Sequence, residues 1–156
     1  MKMSEMQIVV FSLNNETCGV ESSQVQEIIK YQEIAKVPRM PKFIEGLISL
    51  RGKVVPVVNL NARFDMGKTE ITKKTKIIIT KLKEGYIGFI VNDVSEIIKL
   101  AEEELELPPE IVKEAGNTFL KSIGKKGDKI ISIFNLERIL TDNEIKNLGK
   151  KKFTLE

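Results

Sequence analysis

Histidine and tryptophan are absent from this 156-residue chain, and cysteine occurs once, as Cys18. Without histidine there is no histidine general base, no phospho-accepting histidine and no histidine-ligated metal. One cysteine cannot form an internal disulfide or a cysteine-rich zinc site. Aromatic residues are scarce, seven Phe and two Tyr, which argues against a surface built to stack bases. No apolar run approaches the roughly 20 residues of a membrane span, and the N-terminus lacks a basic-then-apolar signal pattern. These features set a cytoplasmic expectation. No metal and no cofactor is expected.

Hydrophobic residues make up 42% of the chain and charged residues 30%, enough for a core and a hydrated surface. The net charge of +3 comes from 25 basic and 22 acidic residues; 21 of the basic ones are lysine and four are arginine. The lysines at 73, 74, 76 and 150–152 read as solvated surface. The abundance of Lys, Glu and Ile is similar to that of hyperthermophile proteins.

The strongest internal signal is a duplication. Shifted by 69 positions, Gln7–Lys30 lies on Lys76–Lys99 without a gap, with identities at Ile8/Ile77, Leu13/Leu82, Gly19/Gly88, Val25/Val94, Glu27/Glu96, Ile28/Ile97, Ile29/Ile98 and Lys30/Lys99. At a shift of 76, Val54–Phe64 lies on Ile130–Leu140. Continuous apolar runs at Ile8–Phe11, Val54–Val58, Ile77–Ile79 and Ile130–Phe134 suit strands buried on both faces. Turn residues at Asn14-Asn15, Arg51-Gly52-Lys53, Lys83-Glu84-Gly85 and Lys126-Gly127-Asp128 predict four hairpins. Pro56 predicts an edge strand or a bulge.

Ser23 with Gln26 has the capping-box pattern and predicts a short helix over Val25, Ile28 and Ile29. Asp93 with Glu96 repeats it, though Ile97-Ile98 fits a strand equally well. Asn59 and Asn135 are expected N-caps. Thr141 with Glu144 predicts a C-terminal helix with Ile145 and Leu148 on one face, ending near Gly149. Gly67–Lys74 is a polar link, and Leu107–Thr118 a long irregular connection. The expected fold is all-β with a few short helices: two small five-stranded barrels, of the SH3-like or OB-like kind, from an internal duplication. Repeat 1 spans about 6–66 and repeat 2 about 75–141, with a helix and basic tail over 142–156. A unit of about 70 residues has a marginal core alone, so the halves should pack together.

No catalytic constellation is present. No serine lies in a G-x-S-x-G elbow. Cys18 reads as a buried structural thiol. Gly46–Lys53 has the wrong spacing for a phosphate loop, and Val54 stands where Ser or Thr would hold magnesium. Glu102-Glu103-Glu104 reads as a solvated acidic run. Arg51 stands out: an arginine at a turn in a lysine-rich chain suggests a need for a planar, multi-donor guanidinium.

The run G-L-I-S-L-R-G-K-V-V-P-V-V-N-L, from Gly46 to Leu60, resembles the signature of the CheW-like family of bacterial chemotaxis coupling proteins. V-x-E-I at Val25–Ile28, Val37–Gly46, G-F-I-V-N-D-V at Gly88–Val94, Pro108-Pro109-Glu110 and Leu120–Ile123 follow the family's order. The resemblance covers about residues 6–141. Asn59 stands where the family usually has Asp, and Ser49 where it often has Asn. The resemblance implies a non-catalytic adaptor that links methyl-accepting chemoreceptors to the histidine kinase CheA through that kinase's regulatory domain. It places the chain at receptor arrays on the inner face of the membrane. It implies receptor-binding roles for Val25, Arg51 and Gly52, and kinase-binding roles for Glu27, Ile28, Val37, Pro38 and Gly46. Alternatives are the CheW-like domain of a CheV-type protein and a small barrel that binds single-stranded nucleic acid.

Overall fold

The computed structural model describes residues 5–141 and 143–145. The strands are β1 (Glu5–Leu13), β2 (Glu16–Glu21), β3 (Glu27–Lys30), β4 (Ile44–Leu50), β5 (Lys53–Asn59), β6 (Lys76–Leu82), β7 (Gly85–Val91), β8 (Asp93–Ala101), β9 (Leu105–Glu106), β10 (Leu120–Lys126) and β11 (Lys129–Phe134). Two short α-helices, α1 (Leu60–Arg63) and α2 (Glu110–Glu114), single 3-10 turns at Ser22–Gln24, Glu102–Glu104 and Leu136–Arg138, and helical residues 143–145 complete the described elements. All four expected hairpins form, as β1–β2, β4–β5, β6–β7 and β10–β11. Among the described residues no helix is long and apolar enough to cross a membrane.

The strands make two sheets. One has the order β8-β1-β2-β11-β10-β9 and the other β3-β6-β7-β5-β4. The first has six strands rather than five because the two-residue β9 adds to β10, at Glu106 opposite Ile123. Neither sheet is built from one repeat. The hairpin β1–β2 of the first half joins strands of the second half, and β6–β7 of the second half joins strands of the first. The contacts behind this exchange obey the duplication. In the parallel pairings Ile133 faces Gly19 and Val57 faces Gly88. Asn59 and Asn135 donate their backbone N–H groups to Phe43 and Phe119 respectively, each at 2.8 Å. Both asparagine side chains then cap the next turn, accepting from Ala62 and Glu137.

Both sheets are rolled. An added Cβ on Gly124 of β10 would lie 2.7 Å from Leu100 of β8, near the opposite end of that sheet's strand order. Each roll encloses its own apolar cluster: Ile8, Val10, Leu100, Ile131 and Ile133 in one, Ile48, Val55, Val57, Ile77, Ile79 and Ile90 in the other. A third, larger cluster lies between the sheets and includes Val9, Phe11, Val20, Val58, Ile78, Phe89 and Phe134. This explains the continuous apolar runs. In β1, Ile8 and Val10 face inward while Val9 and Phe11 face the other sheet, so both faces are buried. Every fully buried aliphatic or aromatic side chain contributes about 1.5–3 kcal/mol before entropy is subtracted.

Two expectations are corrected. Glu27–Lys30 is a strand, not part of a helix: one 3-10 turn ends at Gln24, and Ile28 and Ile29 then pair with Ile78 and Ile77 of β6. Here β-branched side chains and tertiary pairing override a local capping pattern. Asp93–Ala101, where helix and strand fitted the sequence equally, is strand throughout. Pro56 is neither on an edge strand, since β5 lies between β7 and β4, nor at a bulge, since the register shift with β4 falls between Ile44 and Gly46, opposite Val58 and Val57. It is tolerated because pairing with β7 begins only at Val57, which leaves β4 as the sole neighbour at Pro56. At the C-terminus, Thr141 and Glu144 form the expected reciprocal cap, with backbone-to-side-chain bonds of 2.7 and 3.1 Å. Leu148, Gly149 and the basic tail lie outside the described residues.

Candidate docking surface

The turn between β4 and β5 is two residues long, with Leu50 paired to Lys53. Both turn residues have positive φ, +50° at Arg51 and +81° at Gly52. That is the pattern of a type I′ hairpin, whose first position favours Asn, Asp or Gly. Arg51 holds a left-handed conformation that costs a side-chain-bearing residue stability. Strain kept at an exposed turn points to a role for that side chain.

Rolling of the five-stranded sheet brings this turn to β3, at the other end of the strand order. Arg51 Nη1 donates to Glu27 Oε1 at 2.5 Å. The hydrogen bond and charge of Glu27 hold the guanidinium above its ordinary pKa, so it stays protonated. Arg51 and Gly52 are exposed, and Glu27 is half-buried. Beside the ion pair is a small cleft of about 90 Å³ lined by Gln26, Glu27, Leu50, Arg51, Lys53, Ile79 and Tyr86. A larger hollow of about 670 Å³ beside the Phe64–Phe119 stack contains none of the residues selected from the sequence.

The other selected residues are arranged differently. Val25 and Ile28 are half-buried and pack on the cluster between the sheets. Ile29 packs instead on the cluster inside the five-stranded sheet. Residues alternate along a strand, so Glu27 shares the side of Ile29 and is opposite Ile28. The four-residue β3 therefore divides two surfaces: Ile28, with Val25, borders the intersheet seam, and Glu27, with Arg51 and Gly52, lies at the end of one roll. Val37 is half-buried and Pro38 exposed, both on the connection from β3 to β4. Gly46 is buried with φ +151°, and an added Cβ would lie 2.2 Å from the Ala35 carbonyl oxygen. That oxygen accepts from Leu47 at 2.8 Å, and Ala35 donates back to Leu47 at 2.9 Å. Gly46 thus lets the 31–43 connection seat against β4.

Tyr86, Lys53 and Gln26 were not selected from the sequence. Tyr86 is in the second repeat, 35 positions from Arg51. Only the exchanged β6–β7 hairpin brings it to the cleft. Cys18 is buried as expected, and burial, reinforced by Glu16, pushes its thiol from 9.0 to about 12.

Two rolled, duplicated sheets sharing a central apolar seam define a fold of the double-barrel class. Family comparison gives this class a name. The sequence model described as CheW-like domain matches residues 7–144. The chemotaxis protein CheW of Bacillus subtilis is 32% identical over 133 residues, covering 85% of each chain. That of Klebsiella aerogenes is 27% identical over 139 residues, covering 89% of this chain and 84% of its own. The crystal structure of scaffolding protein TtCheW from Thermoanaerobacter tengcongensis superposes with a TM-score of 0.80 at 38% identity, covering 92% of each chain. The chain belongs to the CheW-like family, the adaptors of bacterial chemotaxis signalling. These relatives favour neither a CheV-type protein nor a nucleic-acid barrel.

Proposed function

We propose that the chain is a non-catalytic adaptor that holds a chemoreceptor tip and the regulatory domain of the kinase CheA in one geometry, in the cytoplasm beneath the membrane. The observation that carries this reading is the division of candidate residues by β3. An adaptor needs two separate patches on a stiff scaffold, so that a change in one partner biases the other's equilibrium. The seam bordered by Val25 and Ile28 suits a helical receptor tip, which buries apolar side chains in a groove. The face of Glu27, Arg51 and Gly52, with Val37 and Pro38 on the adjoining connection, suits the kinase domain. This moves Arg51 and Gly52 from the receptor to the kinase, because Arg51 is tied to Glu27 and lies away from the seam, and moves Ile28 from the kinase to the receptor, because it packs on the seam.

The test is calorimetry with a receptor cytoplasmic fragment and with the kinase regulatory domain, alongside kinase autophosphorylation with and without the chain. Arg51→Ala is expected to weaken the kinase domain's binding and to leave receptor affinity within about twofold, with an unchanged melting curve. Unaltered affinity for both partners refutes the reading.

A further inference from the structure

The cleft beside the Glu27–Arg51 pair has a floor and a rim of different chemistry. Leu50 and Tyr86 provide apolar surface over the buried Ile79, and Gln26, Glu27, Arg51 and Lys53 surround the opening. Tyr86 is half-buried and packs on the cluster inside its sheet. Its ring has the Lys53 ammonium at 5.1 Å and the Lys81 ammonium at 5.9 Å from its centroid, both within cation–π range. Neither lysine has an ion-pair partner among the described residues, whereas Arg51 is neutralised by Glu27. The positive charge left at this rim is therefore that of Lys53 and Lys81. Tyr and Arg around a small pocket are residue types enriched at interface hot spots.

We propose that Tyr86 is a third anchor of the Glu27–Arg51 face, forming with Leu50 and Ile79 a cleft that takes one aliphatic side chain of the kinase regulatory domain, while Lys53 and Lys81 hold an acidic residue beside it. The size selects the anchor. An engineered cavity of about 150 Å³ accepts benzene, and this cleft, at about 90 Å³, is smaller. Its size suits a branched aliphatic group better than a ring. The inference rests on the assignment of this face to the kinase domain. It adds a residue from the other repeat and a description of what the partner must present.

The experiment is calorimetry of the full chain with the purified regulatory domain of its cognate kinase, with thermal melting of every variant. Tyr86→Ala is expected to weaken binding at least about tenfold, and Tyr86→Phe to bind within about twofold, since the ring face rather than the hydroxyl makes the contacts. Gln26→Trp obstructs the cleft from an exposed position outside the core and is expected to match Tyr86→Ala. This second variant decides the matter if Tyr86→Ala melts early. Lys53→Gln with Lys81→Gln should weaken binding about threefold at low salt, with a smaller effect at high salt. Loss of binding by Arg51→Ala with parental affinity of Gln26→Trp and Tyr86→Ala overturns the anchor while sparing the docking face. Parental binding by Arg51→Ala, Tyr86→Ala and Gln26→Trp together overturns the face itself.

Discussion

Replacing Gly46 with alanine separates a residue that touches a partner from one that shapes the surface a partner touches. Gly46 has φ +151°, a conformation that costs a residue with a Cβ about 1–3 kcal/mol. The new methyl carbon would lie 2.2 Å from the Ala35 carbonyl oxygen, so the 31–43 connection must lift off β4. Lifting breaks the reciprocal Ala35–Leu47 hydrogen bonds, each contributing about 1 kcal/mol net. The expected loss is about 3–5 kcal/mol, or roughly 10 °C in melting temperature for a chain of this length. The assay is thermal unfolding followed by circular dichroism, with kinase-domain binding measured well below both transitions. Binding should weaken only to the extent that Val37 and Pro38 are displaced. A variant that melts within about 2 °C of the parent yet no longer binds would refute the reasoning and make Gly46 a direct contact.

Arg51→Asn exchanges a strained arginine for a residue that tolerates the left-handed turn, so it should raise the melting temperature by about 2 °C while weakening kinase-domain binding; a lower melting temperature would show that the Glu27 pair outweighs the strain. Arg63 donates through both terminal nitrogens to Glu144 at 3.1 Å and through Nε to the Ile139 carbonyl at 3.0 Å, with its guanidinium 4.7 Å from the Phe43 ring centroid. Arg63→Ala should cost about 2 kcal/mol in urea unfolding at unchanged m, after allowance for partial exposure of the pair. Cys18, neutral up to about 12 when folded, should resist thiol reagents at pH 8 and react fully in denaturant. Its raised pKa also makes its contribution to stability complete below pH 9, and progressively lost as pH rises from 9 to about 12, which a pH series of unfolding curves against Cys18→Ala would show.

The legible part of this fold was what repeats locally. Apolar runs, turn residues and two sequence offsets located four hairpins, and the asparagine caps at 59 and 135 followed from their equivalence. Partnership between strands was not legible, because pairing is a non-local choice among similar Ile- and Val-rich segments. Nothing in Gln7–Lys30 says that β1 and β2 leave β3 and join strands 81 to 114 residues away. The same limit produced the helical reading at Val25–Ile29, where the capping signal is local and the competing partner, β6, is not. Arg51 was visible through its rarity, but its partner was visible only once rolling joined the ends of a sheet. Tyr86 had no signal of its own.

The exchange of hairpins bears on how any substitution in this chain is interpreted. The sheet that carries Arg51 and Glu27 depends on β6 and β7 for its middle, and the other sheet depends on β1 and β2 in the same way. A change in one repeat therefore reaches the core of both sheets. Ile28 shows the consequence: it borders the seam, packs on the intersheet cluster and shares a backbone with Glu27. Loss of binding by an Ile28 variant would not identify a partner, since a shift of β3 moves both faces together. Arg51, Gln26 and Tyr86 are better probes. The first two are exposed, and the third reaches the cleft from the opposite repeat, so agreement among them cannot arise from distortion of a single segment. The interleaving that hides the site in the sequence also gives an adaptor the stiffness it needs, because neither half can turn independently without breaking the pairing of its hairpin in the other.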